Sequence, residues 1–127
     1  MAKQHPSCVL ASIADGPTYN DVLAAAKQVA KQLALPLVAV TVLPTGQIST
    51  HTSERLQTLY NIAERHGAEL LIIFNDNPAL TVAVTAQQKN AAHLVVGAPK
   101  SGRFIETVKA ILSETPLTIV ADETIII

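Results

Sequence analysis

The chain of 127 residues has one cysteine, no tryptophan and only four other aromatic side chains, two Tyr and two Phe. A lone Cys8 excludes an internal disulfide and is typical of a reducing compartment. Because Cys8 begins an apolar segment, we expect a small buried side chain rather than a reactive thiol, which needs a cationic and accessible setting. The core must therefore be built from Ala, Val, Leu and Ile, and few aromatic rings remain for stacking nucleic acid bases.

An excess of basic charge is also missing, because nine Lys and Arg stand against ten Asp and Glu, for a net charge of −1. Nucleic acid partners require a cationic face, so we expect none. No segment approaches the roughly 18 apolar residues of a membrane helix, and the N-terminal M-A-K-Q-H-P-S is too polar for a signal peptide. We therefore expect a cytoplasmic protein without a membrane segment.

Catalytic and metal-binding patterns are absent as well. The four histidines show no metal-ligand spacing with Cys or carboxylates, so we identify no metal site. There is no G-x-S-x-G elbow for a nucleophilic serine. The only adjacent carboxylates, Asp122 and Glu123, lie near the C-terminal end. We expect no catalytic residues and no enzymatic activity beyond slow, incidental hydrolysis of a nucleotide.

What the chain does contain is a regular alternation of two patterns. About half of its residues are apolar, which is enough for the core of one domain over residues 1–127. Runs rich in Val, Ile and Leu alternate with segments of helical periodicity, which predicts a Rossmann-like α/β fold of three layers. We expect a five-stranded parallel sheet in the order 3-2-1-4-5, with helices on both faces. The predicted strands are 8–14, 37–43, 69–74, 93–96 and 117–121, and the helices are 19–33, 50–66, 78–90 and 103–113.

The predicted strand order reverses between strands one and four, and such sheets bind ligands outside the carboxyl ends of their strands at this point. The loops that meet there are 14–18 and 97–103. The first contains Asp15 and Gly16, and the Asp15 carboxylate can accept a hydrogen bond from an adenine amino group or a ribose hydroxyl. A plain turn that only breaks the strand is the alternative for Asp15-Gly16.

The second loop follows the apolar run H-L-V-V and is rich in glycine and cations. Its backbone N–H groups and the start of the next helix suit a phosphate, which Lys100 and Arg103 would neutralise. The loop lacks the spacing of a P-loop or of a dinucleotide fingerprint, so a turn with solvated charges is the alternative. The phosphate-binding candidates are Gly97, Lys100, Ser101, Gly102 and Arg103.

The last residues form an unusually apolar tail for a chain end. Ile125, Ile126 and Ile127 have high β-propensity and follow the predicted edge strand. We expect this tail, over 122–127, to take part with strand five in a homodimer, the commonest assembly that protects such an edge. Packing of the tail within one subunit is the alternative.

Three stretches of the sequence resemble the universal stress protein superfamily, and the resemblance covers nearly the whole chain. They are Asp15-Gly16 after strand one, H-G-A-E-L-L at 66–71, and L-V-V-G-A-P-K-S-G-R-F at 94–104. The last is similar to the strand-G-x-x-x-x-S-R-W loop of the universal-stress-type domain in osmosensitive potassium-channel (Kdp) sensor kinases. In this resemblance Gly97, Arg103 and Phe104 occupy matching places, and we expect the chain to be a stand-alone form.

The resemblance implies dimerisation through the last strand and, in many members, binding of ATP or AMP. Some sensor-kinase domains of this type bind cyclic di-AMP instead. Two departures from the ATP-binding pattern stand out, because Lys100 occupies the place of the second Gly in G-x-x-G, and Thr107 replaces a later Gly-Ser or Gly-Thr. The implied nucleotide-binding residues are Ser12, Asp15, Gly16, Val40, Gly97, Lys100, Ser101, Gly102 and Arg103, with Val40 offering its backbone to the base.

These features favour a small stress or signalling protein that binds an adenine nucleotide, either ATP or AMP or cyclic di-AMP. A module of the same fold that binds a protein partner and no nucleotide is the first alternative. A nucleotide hydrolase is the second, and the sequence offers only Asp15 or His93 as its base.

Overall fold

Five strands and four helices alternate along the part of the chain that the computed structural model describes, residues 7–13, 19–46, 50–97 and 102–120. Each predicted element is present, and the predicted ends differ from the observed ones by at most two residues. The strands are β1 (Cys8–Ser12), β2 (Leu37–Leu43), β3 (Ala68–Phe74), β4 (Ala91–Gly97) and β5 (Leu117–Val120). The helices are α1 (Tyr19–Leu33), α2 (Thr50–Arg65), α3 (Pro78–Gln88) and α4 (Gly102–Ile111).

The strands form one parallel sheet in the order β3-β2-β1-β4-β5. This confirms the predicted architecture and strand order. The central strand β1 ends at Ser12, which is in register with Val40 of β2 on one side and with Val96 of β4 on the other. The reversal of strand order therefore lies between β1 and β4.

Two hydrophobic cores lie on opposite faces of the sheet. The residues of β1 alternate between them, so Val9 and Ala11 pack under α1 and α2, while Cys8 and Leu10 pack under α3 and α4. The three central strands are covered on both faces, which explains their continuous apolar sequences. Cys8 is 3% exposed and burial raises the pKa of its thiol, as expected for a side chain that packs rather than reacts.

Three of the helices are followed by a residue in the left-handed backbone conformation. These residues are Ala34 (φ 55°) after α1, Gly67 (φ 71°) after α2 and Asn90 (φ 51°) after α3. Such a residue closes a helix end by letting its last carbonyl groups find partners. Gly and Asn adopt this conformation readily, whereas Ala does so at a cost of roughly 1 kcal/mol.

The carboxyl end of the sheet is uneven. β2 and β3 continue in register to Leu43 and Phe74, three residues beyond the level at which Ser12 pairs with Val40. At about 3.3 Å per residue, β2 and β3 therefore extend roughly 10 Å beyond the end of β1. None of the helices in the described ranges is both long and apolar enough to cross a bilayer.

Candidate functional site

The switch point between β1 and β4 is the candidate ligand site. Ser12 and Val96 are paired in register at the ends of these two strands. The ends of β1 and β4 therefore lie side by side, at the position where open α/β sheets bind ligands. α4 begins at this edge with Gly102, five residues after the end of β4.

Ser12 is the polar member of a row that crosses the three central strands. Its neighbours in the row are Val40 and Val96, both of which belong to the core under α3 and α4. Because side chains alternate along β1 and Leu10 faces this same core, the Ser12 side chain points to the α3–α4 face. It is half-buried, so its hydroxyl group lies at the rim of the apolar core.

The backbone of β2 borders the site on the other side. The Val40 carbonyl oxygen already accepts a hydrogen bond from the Ile13 N–H, at 2.9 Å, and the Val40 side chain is fully buried. Backbone groups alternate in direction along a strand, so Val42 is the next residue of β2 that turns its N–H and carbonyl toward the same side. Sequence reasoning named Val40 and did not consider Val42, because the strand pattern alone does not tell where β1 ends relative to β2.

Gly97, Gly102 and Arg103, which the sequence predicts to hold phosphate, lie at the end of β4 and the start of α4. Gly97 is the last residue of β4 and is in register with Val120, so it lies one residue beyond the level of Ser12. Gly102 and Arg103 are the first two residues of α4, and the Arg103 side chain is exposed. The positive end of this ten-residue helix dipole therefore faces the same rim as Gly97.

Four of the predicted site residues, Asp15, Gly16, Lys100 and Ser101, lie outside the described residues. The structure brings the others, Ser12, Val40, Gly97, Gly102 and Arg103, to one rim of the sheet.

A polar contact that the sequence did not indicate joins the ends of β2 and β3 at the same rim. Asp76 accepts hydrogen bonds from the Thr45 N–H at 2.9 Å and from the Thr45 hydroxyl at 3.0 Å. These bonds hold the pKa of the Asp76 carboxyl below its ordinary value, because they favour the charged form. The N-D-N-P sequence at 75–78 indicates a turn and a helix start, and nothing in it points to a partner 31 residues away.

Two cavities among the described residues lie away from the switch point. One, of about 390 Å³, lies between α4 and the start of β5 and is lined by Val108, Leu112 and Leu117 among others. Another, of about 290 Å³, lies between β3 and α3. Neither of these two cavities lies at the reversal of strand order between β1 and β4. Within the described ranges, no group of three His, Cys, Asp or Glu side chains is arranged to hold a metal ion.

Comparison with known proteins gives two negative results and one positive result. No family model matches the chain, and no curated protein sequence matches it. Solved structures do match. A universal stress protein from Archaeoglobus fulgidus superposes with a TM-score of 0.71 at 19% identity, over 90% of this chain and 93% of its own.

Two further neighbours were solved with a nucleotide. The Archaeoglobus fulgidus universal stress protein in complex with dAMP has a TM-score of 0.61 at 19% identity, over 92% of this chain and 97% of its own. A universal stress family protein from Arabidopsis thaliana with AMP bound has a TM-score of 0.64 at 14% identity, over 94% of both chains. At these identities the comparison shows the fold alone. The chain has the fold of the universal stress proteins.

Proposed function

We propose that this protein is a small cytoplasmic stress or signalling protein that binds an adenine nucleotide at the switch point between β1 and β4. The observation that carries the proposal is the pairing of Ser12 with Val96 at the ends of β1 and β4, because the sequence continues from these two strands into an acidic segment and a cationic one. The neighbouring structures with AMP and dAMP support the same ligand class, because those proteins share this fold. The protein would act by binding, with no catalytic residues.

The proposed nucleotide lies across the ends of the central strands. The Asp15 carboxylate accepts hydrogen bonds from the adenosine end, and the backbone of β2 at Val40 and Val42 borders the base. Gly97, together with Gly16, allows close approach of the backbone. The start of α4 and the cations Lys100 and Arg103 hold the phosphate, with N–H groups and the Ser101 hydroxyl as further donors.

Lys100 favours particular adenine nucleotides. A side chain at this position hinders the close backbone approach that a glycine would allow, while its ammonium group adds a point charge. Lys100 in place of a glycine therefore suits one phosphate group bound by side chains better than a triphosphate bound by backbone N–H groups. We therefore propose AMP or cyclic di-AMP as ligands ahead of ATP. Cyclic di-AMP would also fit the resemblance of the loop sequence to Kdp sensor-kinase domains.

Ligand-induced stabilisation tests this function. A ligand that binds only the folded state at 100 times its dissociation constant stabilises it by about 2.7 kcal/mol, so we expect AMP or cyclic di-AMP to raise the melting temperature by several degrees. Arg103→Ala should reduce this shift. Lys109→Ala is the matched control, because Lys109 is an exposed cation in the last turn of the same helix, away from the rim.

The control should keep the full shift. Guanosine and cytidine monophosphates serve as ligand controls and should give smaller shifts than AMP. Absence of a shift with any adenine nucleotide at millimolar concentration would contradict the proposal. It would favour the alternative of a protein-binding module, for which the lost glycine at Lys100 is the supporting observation.

Binding without turnover is part of the proposal. His93 Nε2 lies 2.7 Å from the Thr118 hydroxyl, between β4 and β5, and His93 precedes Gly97 by four residues along its strand. This places the imidazole roughly 13 Å along the strand from the phosphate side, too far to activate water there. Asp15 is then the one remaining base that the sequence offers.

A homodimer through β5 and the tail over 122–127 also remains part of the proposal. β5 is the last strand of the sheet, and Ile119 on it is 44% exposed. Contact with a second chain would cover this side chain.

A further inference from the structure

The opposite edge of the sheet is formed by β3, which is long, apolar and poorly protected. Within the described residues β3 pairs only with β2, and its sequence A-E-L-L-I-I-F contains one charge, at Glu69. Natural edge strands are usually short or carry lysine, proline or a bulge that prevents pairing with another chain. β3 has seven residues and none of these devices.

The hydrogen-bonding direction of β3 follows from one contact. The Asn75 N–H donates to the Leu43 carbonyl oxygen at 2.8 Å, which shows that Asn75 faces β2. In a parallel strand the N–H and carbonyl of a residue point to the same side, and the side alternates from residue to residue. The residues of β3 whose backbone groups point outward, away from β2, are therefore Ala68, Leu70, Ile72 and Phe74.

Apolar side chains surround this row of outward backbone groups. Ile72 and Phe74 are 40% and 42% exposed, and Leu80 and Val84 of α3 are 45% and 36% exposed. They account for four of the seven large apolar side chains that are exposed in the described part of the chain. Leu80 and Val84 also line the 290 Å³ cavity together with Ile73. The four exposed side chains together present roughly 300 Å² of apolar surface along this edge, Ile72 and Phe74 on the α2 face and Leu80 and Val84 on the α3 face.

We propose that this edge binds a second copy of the same chain, by antiparallel pairing of β3 with β3 about a two-fold axis at Leu71. In an antiparallel pair, two opposed residues with outward backbone groups exchange both of their hydrogen bonds. An axis at Leu71 opposes Leu70 to Ile72 and Ala68 to Phe74 of the second copy. All four outward residues then form such pairs, so the outward N–H and carbonyl groups of β3 are satisfied.

The side chains are self-complementary in the same register. The largest outward side chain, Phe74, is opposite the smallest, Ala68, and the four paired residues form an uninterrupted apolar face. Glu69 is opposite Ile73 of the second copy rather than Glu69, so no like charges are opposed. This match within one strand is the reason to choose a second copy as the occupant rather than an unrelated strand.

The size of the patch sets the expected strength of the pair. About 300 Å² of exposed apolar side chain is modest against the roughly 800 Å² per partner of a standard interface. We expect a dissociation constant on the order of 10 µM, within reach of analytical ultracentrifugation between about 1 and 500 µM. The inference concerns self-association alone and does not depend on nucleotide binding.

A pair of matched substitutions tests the inference. Ile72→Lys places a cation on the β3 edge, and Ile119→Lys places one on the β5 edge, at a side chain of similar exposure. Because both sites are partly open to solvent, both variants should fold, which circular dichroism checks. Ile72→Lys should raise the dissociation constant at β3 at least tenfold. Ile119→Lys leaves β3 pairing intact. Any decrease in average molecular mass that this variant causes therefore reports the separate β5 contact.

Amide hydrogen exchange gives a second readout that does not use a variant. Raising the protein concentration should slow exchange at the outward amides of Leu70 and Ile72, while those of Leu71 and Ile73, which already face β2, should change little. The inference is overturned by a wild-type chain that stays monomeric at 500 µM. It is equally overturned by an Ile72→Lys variant that associates like the wild type, or by Leu70 and Ile72 amides that exchange independently of concentration.

Discussion

Single residues with positive φ show how far local sequence determines this backbone. Gly67, Asn90 and Ala34 occupy the same conformation after three helices, although the conformation suits glycine best, asparagine next and alanine least. A glycine after a periodic segment predicts such a helix end. An alanine does not, so the position of Ala34 could be found only in the structure, where the turn from α1 into β2 imposes it.

Substitution at Gly67 measures the cost of this conformation. Gly67→Ala should destabilise the protein by roughly 1 kcal/mol, because a Cβ there meets no atom within 4 Å and the whole cost is backbone strain. The control is Gly46→Ala, since the space around Gly46 is also open and its φ is not positive. Urea denaturation of both variants checks the difference, and equal midpoints would contradict it.

His93 is the residue whose burial links stability to pH. Burial between β4 and β5 lowers the pKa of its imidazole below the ordinary value of 6.5. The unfolded chain then binds a proton more readily than the folded chain, so stability is full above about pH 6.5 and falls as the pH drops toward the folded pKa. We expect the urea midpoint to decrease between pH 7 and pH 5.

His93→Gln should flatten this decrease, because glutamine can still reach the Thr118 hydroxyl but does not titrate. His66, whose pKa is also lowered by burial and by Lys27, accounts for the slope that remains. If the urea midpoint of the His93→Gln variant fell with pH as steeply as that of the wild type, the His93 imidazole would titrate normally in the folded wild-type protein.

Helix α3 shows how an element can form against its own propensity. Its β-branched residues disfavour a helix, yet α3 extends over Pro78–Gln88 as predicted, apart from its last turn. Pro78 occupies the first helical position, the Asn77 side chain accepts from the Leu80 N–H at 3.2 Å, and the Thr81 hydroxyl donates to the Asn77 carbonyl at 2.7 Å. Capping and the burial of Val82 and Ala83 outweigh the propensity.

The cap at Asn77 stabilises the start of α3. Asn77→Ala should lower the free energy of unfolding by about 1 kcal/mol, because the Leu80 N–H loses its acceptor. Gln87→Ala, an exposed substitution at the other end of the same helix, should change it by less than about 0.5 kcal/mol. Chemical denaturation distinguishes the two, and a silent Asn77 variant would mean that water replaces the cap.

At the scale of the whole molecule, the fold could be predicted further than the site. Strand order followed from the alternation of elements and from right-handed crossovers, since few other topologies bury five apolar strands. The placement of Ser12 beside Val96 followed from that order. The sequence could not decide whether the Val40 or the Val42 backbone borders the site, because this depends on how far β2 extends beyond β1. The Asp76–Thr45 contact did not follow either, since long-range polar partners leave no local pattern.

The position of β3 two strands away from β1 has a consequence for stoichiometry. In the proposed pair, the sheets run in opposite directions, so the rim above β1 in one copy points away from that of the other. Five strand spacings of about 4.8 Å would separate the two β1 strands by roughly 24 Å. No molecule as small as a mononucleotide or cyclic dinucleotide spans this separation. Each copy would therefore bind its own ligand at its own switch point, one ligand per chain.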